Sequence, residues 1–164
     1  MKPKVAKKAS AAAAALLRQA TALAPKRAKA SDGLLPSAAH LAASPDSDHN
    51  TGLAADLTHD PKNGIDCAII FEELKKDPRV KYLIFQGRIW SKDRAGEGNR
   101  FYTGSNPHNK HLHVSIFPSG ANDTSNWFPW LRKTKVFKSP DAVIQYLKTR
   151  NPRKQEAPSL KENS

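Results

Sequence analysis

Apolar residues along the chain fall into short runs with different periods. Residues 10–24 are almost all Ala and Leu, a composition of high helix propensity, with Ser10 as cap and Pro25 as stop. Ser37 is placed to cap a second, short helix over Ala38 to Ala43. Residues 44–52 are polar and read as loop, and Leu53 to Thr58 then alternates like a strand. Asp66 to Lys76 carries Ile69, Ile70, Phe71 and Leu74 in a helical pattern, with Asp66 as N-cap. Val80 to Gln86 reads as a second strand, with Arg88 to Trp90 continuing it after a turn at Gly87. Residues 92–110 read as one long polar loop, and loops of that length inside a compact domain are often functional. His111 to Phe117 is a third strand, and Ser139-Pro140 opens a last helix to about Arg150. Strands mixed with helices, without regular βα alternation, predict an α+β fold with a small, mainly antiparallel sheet.

Length and charge refine this picture. The 164 residues suit one domain with tails: a basic Ala-rich helix over 1–24, a folded domain over 25–150 and a disordered basic tail over 151–164. The formal net charge of +12 is concentrated at the ends. Residues 1–30 hold eight Lys and Arg and no acid, residues 131–164 nine against three acids, and residues 31–130 ten against twelve. Basic ends attract any polyanion, whereas the near-neutral centre shows no nucleic-acid recognition element, so no specific nucleic-acid partner is expected. The longest apolar run, Ala11 to Leu17, is too short to span a bilayer, and Arg18 ends it in a helix-like context rather than a secretory leader. The lone Cys67 excludes an internal disulfide and reads as a small buried hydrophobe.

The chemistry sits in two segments. In the first, Ser47-Asp48-His49-Asn50-Thr51-Gly52-Leu53-Ala54-Ala55-Asp56, strand alternation puts Leu53, Ala55 and Leu57 on one face. Asp56 then projects from the other face, and Gly52 has the backbone freedom to turn His49 back towards it. In the second, His108-Asn109-Lys110-His111-Leu112-His113, the residues Leu112, Val114 and Ile116 take the core face and His111, His113 and Ser115 the opposite one. This places two imidazoles about 7 Å apart along the sheet. The segment holds three of the chain's six histidines, where an ordinary solvated face would more often use Lys, Thr or Glu. Imidazoles and a carboxylate suit a catalytic zinc, which takes three protein ligands and keeps an open position. With no Cys pair available, a closed structural zinc site is not expected.

Ser47-x-His49-x-x-Gly52-x-Ala54-x-Asp56 followed by His111-x-His113 resembles the zinc D-alanyl-D-alanine peptidase superfamily over roughly residues 25–118. That group contains D,D-carboxypeptidases, phage L-alanyl-D-glutamate endolysins, the penicillin-insensitive murein endopeptidase and the hedgehog signalling domain. The segments around Lys29–Gly33 and Tyr102–His108 look like phage and prophage lysis proteins in particular. The resemblance implies one zinc ion held by His49, Asp56 and His113, with His111 beside it and unligated. Many members carry an acidic general base three residues before the last zinc histidine, where this chain has Lys110. The arrangement His108-x-x-His111-x-His113 instead resembles the murein endopeptidase branch, so His111 is expected to handle protons and His108 to support it.

The resemblance therefore implies a zinc metallopeptidase acting on peptidoglycan as a monomer. It would stay in the host cytoplasm until lysis and then act at the cell wall or periplasm. Arg88 and Arg27 are the candidate substrate-binding residues for a stem-peptide carboxylate, although such arginines are more often paired or solvated. His40 reads as a helix packing residue near the site and His59 as a residue holding a turn together. Trp90, Trp127 and Trp130 read as core or cleft wall. Two other functions fit the same features: a wall-binding zinc module without catalysis, and a nucleic-acid binder driven by the tails.

Overall fold

The computed structural model describes residues 5–131; the helix expected over 139–150 and the tail over 151–164 lie outside the described residues. Among the described residues three helices form where side-chain caps meet apolar runs. In α1 (Ala11–Leu23) Ser10 Oγ accepts from the Ala13 N–H at 3.2 Å, and Ala12, Ala15, Leu16 and Ala20 are buried. In α2 (Ala38–Ala43) Ser37 Oγ accepts from the His40 N–H at 3.1 Å, and none of its residues is fully buried. In α3 (Cys67–Leu74) Asp66 accepts from the Ala68 N–H, while His59 Nδ1 accepts from the Cys67 N–H at 3.1 Å. Together they satisfy two of the amide groups a helix start leaves open.

Five strands among the described residues, β1 (Ala54–Thr58), β2 (Val80–Phe85), β3 (Arg88–Ser91), β4 (Arg100–Phe101) and β5 (His111–Ile116), form one antiparallel sheet in the order β1-β5-β2-β3-β4. The fold is α+β, as the mixed pattern predicts. Two expectations change. Arg88 to Ser91 does not extend β2; it folds back on it as a hairpin, because Gln86 (φ 46°) and Gly87 (φ 69°) are both left-handed, as a type I′ turn requires. The stretch read as a continuous loop after residue 92 contains 3-10 turns over Lys92–Glu97 and the edge strand β4.

Alternation along the strands separates the two faces of the sheet. Leu57, Leu83, Trp90, Leu112 and Val114 join α1 and α3 in a single core that also holds Cys67 and Trp127. The helix over residues 11–23 is thus part of this core rather than a separate unit. Trp127 fixes the end of the described chain: its indole N–H donates to the Ala12 carbonyl, and the Arg79 guanidinium lies 3.5 Å from its ring centre. On the other face stand Asp56, Tyr82, Ile84, His111 and His113, overhung by residues 44–49 and 102–108.

Candidate metal centre

His49 is placed by a loop held from both sides. It sits in a 3-10 turn, Asp48–Thr51, where Ser47 Oγ accepts from the His49 N–H and Gly52, at φ 73°, ends the turn. A Cβ on Gly52 would meet the Lys8 carbonyl oxygen at 2.7 Å, because residues 6–10 run across the loop with bonds from Ala6 N–H to Asn50 O and Ser10 N–H to Gly52 O. The buried Asn50 side chain donates to the Ser44 and Pro45 carbonyls at 2.9 and 2.8 Å and closes the other side. Asp56 and His113 need no loop: they are direct cross-strand partners in β1 and β5. Gly33 forms a two-bond bridge to Asp56 and covers that edge of the sheet.

The donor atoms of His49, Asp56 and His113 lie within 4.8 Å of one another. His49 Nε2 is 3.1 Å from Asp56 Oδ2, and His113 Nδ1 is 3.0 Å from Asp56 Oδ1. Two donors each ~2.0–2.1 Å from a tetrahedral ion stand about 3.3 Å apart, so these separations match a shared ion. The tautomer of His49 agrees. Its Nδ1 lies 3.2 Å from the Leu34 carbonyl, which can only accept, so Nδ1 carries hydrogen and the Nε2 lone pair faces the carboxylate. His49 Nε2 has no hydrogen-bond partner, and two lone-pair atoms in that position require a proton or a metal cation between them. The residues present therefore fit a metal ion, and they form a possible metal-binding triad.

The remaining histidines surround this triad. His111 Nε2 is 3.6 Å from Asp56 Oδ1. The His108 ring is edge-on to His111 and His113 at 5.0 and 5.4 Å, and its backbone is left-handed (φ 56°), a conformation held by the Asn106 Oδ1 bond to its N–H. His40 reaches in from α2 and packs edge-on against His49 at 5.5 Å, beside the triad and outside its ligand set. One ring nitrogen on each of His40, His49, His108 and His113 is buried without a hydrogen-bond partner. Unpartnered buried polar atoms are rare in folded proteins, and here four belong to imidazoles of the triad or of the rings packed beside it.

The electrostatics follow the geometry. Burial pushes the Asp56 carboxyl up, but the bond to His113 and the adjacent His49 imidazole outweigh this and hold it well below the usual carboxylate range. Burial pushes His49 down, yet the Asp56 carboxylate, with the Leu34 carbonyl and Asp48, raises it above an ordinary imidazole. His111 is lowered by burial. His108 is pushed down to about 4 by burial and then by His113 and His111. Both are thus neutral at pH 7.

The two candidate substrate arginines are not at the site. Arg27 is 4% exposed, and its NH1 and NH2 bond both oxygens of Asp32, at 2.9 and 2.6 Å. Arg88 lies directly opposite Phe85, so it stands on the helix face of the sheet, with its guanidinium 3.9 Å from the Phe101 ring centre. His59 also lies on that face, capping α3 against Phe85, while Trp90 and Trp127 are core. Sequence reasoning gave no role to five contributors. Tyr82 stacks on His113 at 5.4 Å, Tyr102 abuts His108, and Ser115 donates to Asp48, which also pairs with Lys81 at 3.0 Å. The signal for Tyr82 was available in its alternation with Ile84; the others depend on which strands pair.

Comparison with known proteins returns one family, described as VldE, C-terminal domain, whose model matches residues 6–113. No curated protein and no solved structure matches the chain. The matched stretch runs from the strap over the His49 loop to His113 itself and includes the whole triad with His108 and His111. Since it spans well over half of the sequence, the chain belongs to the VldE C-terminal domain family.

Proposed function

We propose that this protein is a zinc-dependent peptidase that hydrolyses a peptide bond in the murein stem peptide or its cross-link. The observation that carries the reading is the convergence of His49, Asp56 and His113 at the floor of an open cleft of about 530 Å³, with His111 and His108 on its wall. The choice of zinc rests on the donor set, two imidazoles and a carboxylate. The choice of substrate rests on the motif resemblance to murein peptidases. Zinc bound at the triad would supply a Lewis acid for the scissile carbonyl and make water acidic enough to attack near neutral pH.

The protein's own groups do the rest. His49 and His113 are held in ligating orientation by the Leu34 carbonyl and by the Tyr82 stack. His111, neutral and 3.6 Å from Asp56, takes a proton from the attacking water as the C–O bond forms. It returns that proton to the departing amine nitrogen as the C–N bond breaks. His108, in edge contact with His111, fixes its ring and is a positioning residue. Among the described residues no helix is long and apolar enough to cross a membrane. The basic chain ends are suited to holding the enzyme on an anionic wall, and in a phage or prophage it would reach that wall at lysis.

The test is incubation of the zinc-loaded protein with purified murein, followed by mass spectrometry of the released muropeptides, with and without chelator. Chelator-sensitive release of new peptide ends supports the reading. Stoichiometric zinc with no turnover would replace it with a wall-binding module that lacks catalysis.

A further inference from the structure

Two cavities meet at the histidine wall. The larger, about 530 Å³, opens over the triad and reaches out to Asp46. The second, about 460 Å³, lies beyond Asn106 and His111, which line both, and is walled by Ser31, Asn109 and Lys110. A ligand occupying both would cross His111 with its middle beside the triad.

The charges along this path are ordered. Asp32, in the second cavity, is already bonded to Arg27 and Thr58. Asp56 belongs to the triad, and Asp48, behind His113, is held by Ser115 and Lys81. That leaves Asp46 at one end and Lys110 at the other, both exposed and neither in an ion pair among the described residues.

We infer that the two cavities form one groove for a peptide bearing both charges, with an ammonium group at the Asp46 end and a carboxylate at the Lys110 end. Lys110 and Asp46 are specificity-determining residues, and the bond beside His111 is the one presented to the triad. This rests on the peptidase reading. Exposed charge pairs are worth little each, so each end contributes about 1.5- to 5-fold in affinity rather than an absolute requirement.

The experiment is calorimetric binding of a synthetic stem pentapeptide to the full, zinc-loaded His111→Gln chain, which slows turnover during the measurement. The peptide is used free, with its carboxylates amidated, and with its amino groups acetylated. Amidation is expected to weaken binding about 1.5- to 5-fold. In the Lys110→Glu background the preference should reverse to favour the amide, and Asp46→Lys should likewise remove the cost of acetylation. Equal binding of all three peptides, the same preferences in both variants, or no binding of the pentapeptide would overturn the inference. Murein turnover by the unsubstituted protein, measured separately, reports on the peptidase reading itself.

Discussion

Replacing Asp56 by Asn separates the metal centre from the fold. The carboxylate stands 3.1 Å from His49 Nε2 and 3.0 Å from His113 Nδ1. An amide keeps the shape: its oxygen accepts from His113 Nδ1–H, and its NH2 donates to the bare Nε2 of His49. At pH 8 the chelated protein should therefore lose only about 1 kcal/mol, the net worth of one ordinary hydrogen bond. At lower pH the loss should grow. His49 is raised in the folded protein, so its contribution is complete below its unfolded value, ~6.5, and fades as pH rises through the higher folded value. Asp56 is depressed, so its contribution is present above ~4 and is lost only as pH falls further. The proton-bridged pair is thus strongest between about pH 4 and 6.5, and Asp56→Asn costs most there. Zinc affinity should fall far more. Loss of a partner behind a ligand costs roughly 10- to 100-fold, so loss of the anionic ligand itself should cost at least about 1000-fold. Urea melts of the chelated protein at pH 5.5 and 8, with competition against a zinc-binding dye, measure both. Zinc affinity within tenfold of the unsubstituted protein, or a stability loss larger at pH 8 than at pH 5.5, would refute the reasoning.

Other substitutions test the supports. Asp32→Ala leaves the buried Arg27 guanidinium unpaired and should cost about 3–5 kcal/mol in a thermal or urea melt. Because Arg27 and Thr58 depress the Asp32 carboxyl despite its burial, the stability it provides should disappear from the unsubstituted protein as pH falls below ~4. Gly52→Ala meets both a left-handed backbone and the Lys8 carbonyl at 2.7 Å, so it should cost more than the ~1 kcal/mol of Gly87→Ala, which has the same backbone and open space, and it alone should weaken zinc binding. Leu74→Ala, fully buried in α3, should lower stability by about 2–5 kcal/mol while leaving zinc stoichiometry unchanged.

What could be read directly was local. Ser10, Ser37 and Asp66 each stand immediately before an apolar run, and all three cap the expected helices. The alternation His111-Leu112-His113-Val114 sorted core from site because period two admits only two faces. The hairpin was hidden because Gln-Gly is an uncommon type I′ pair, and Gln86 pays the left-handed cost that Asn tolerates better. The opposition of Asp56 and His113 was out of reach, since nothing along the chain says that β1 pairs with β5 rather than β2. Arg27 is paired, the commoner fate of such an arginine, but the choice between pairing and substrate binding was not legible: its partner Asp32 is five residues away, and the burial that commits the pair is a tertiary property.

The central claim is that three side chains hold one metal ion. Elemental analysis of the full-length protein, purified with zinc and dialysed, tests it most directly. One zinc per chain is expected in the unsubstituted protein and in His111→Ala, with less than about a tenth of that in His49→Ala and His113→Ala. No stoichiometric metal, or zinc retained when His49, Asp56 and His113 are all replaced by Ala, would contradict it.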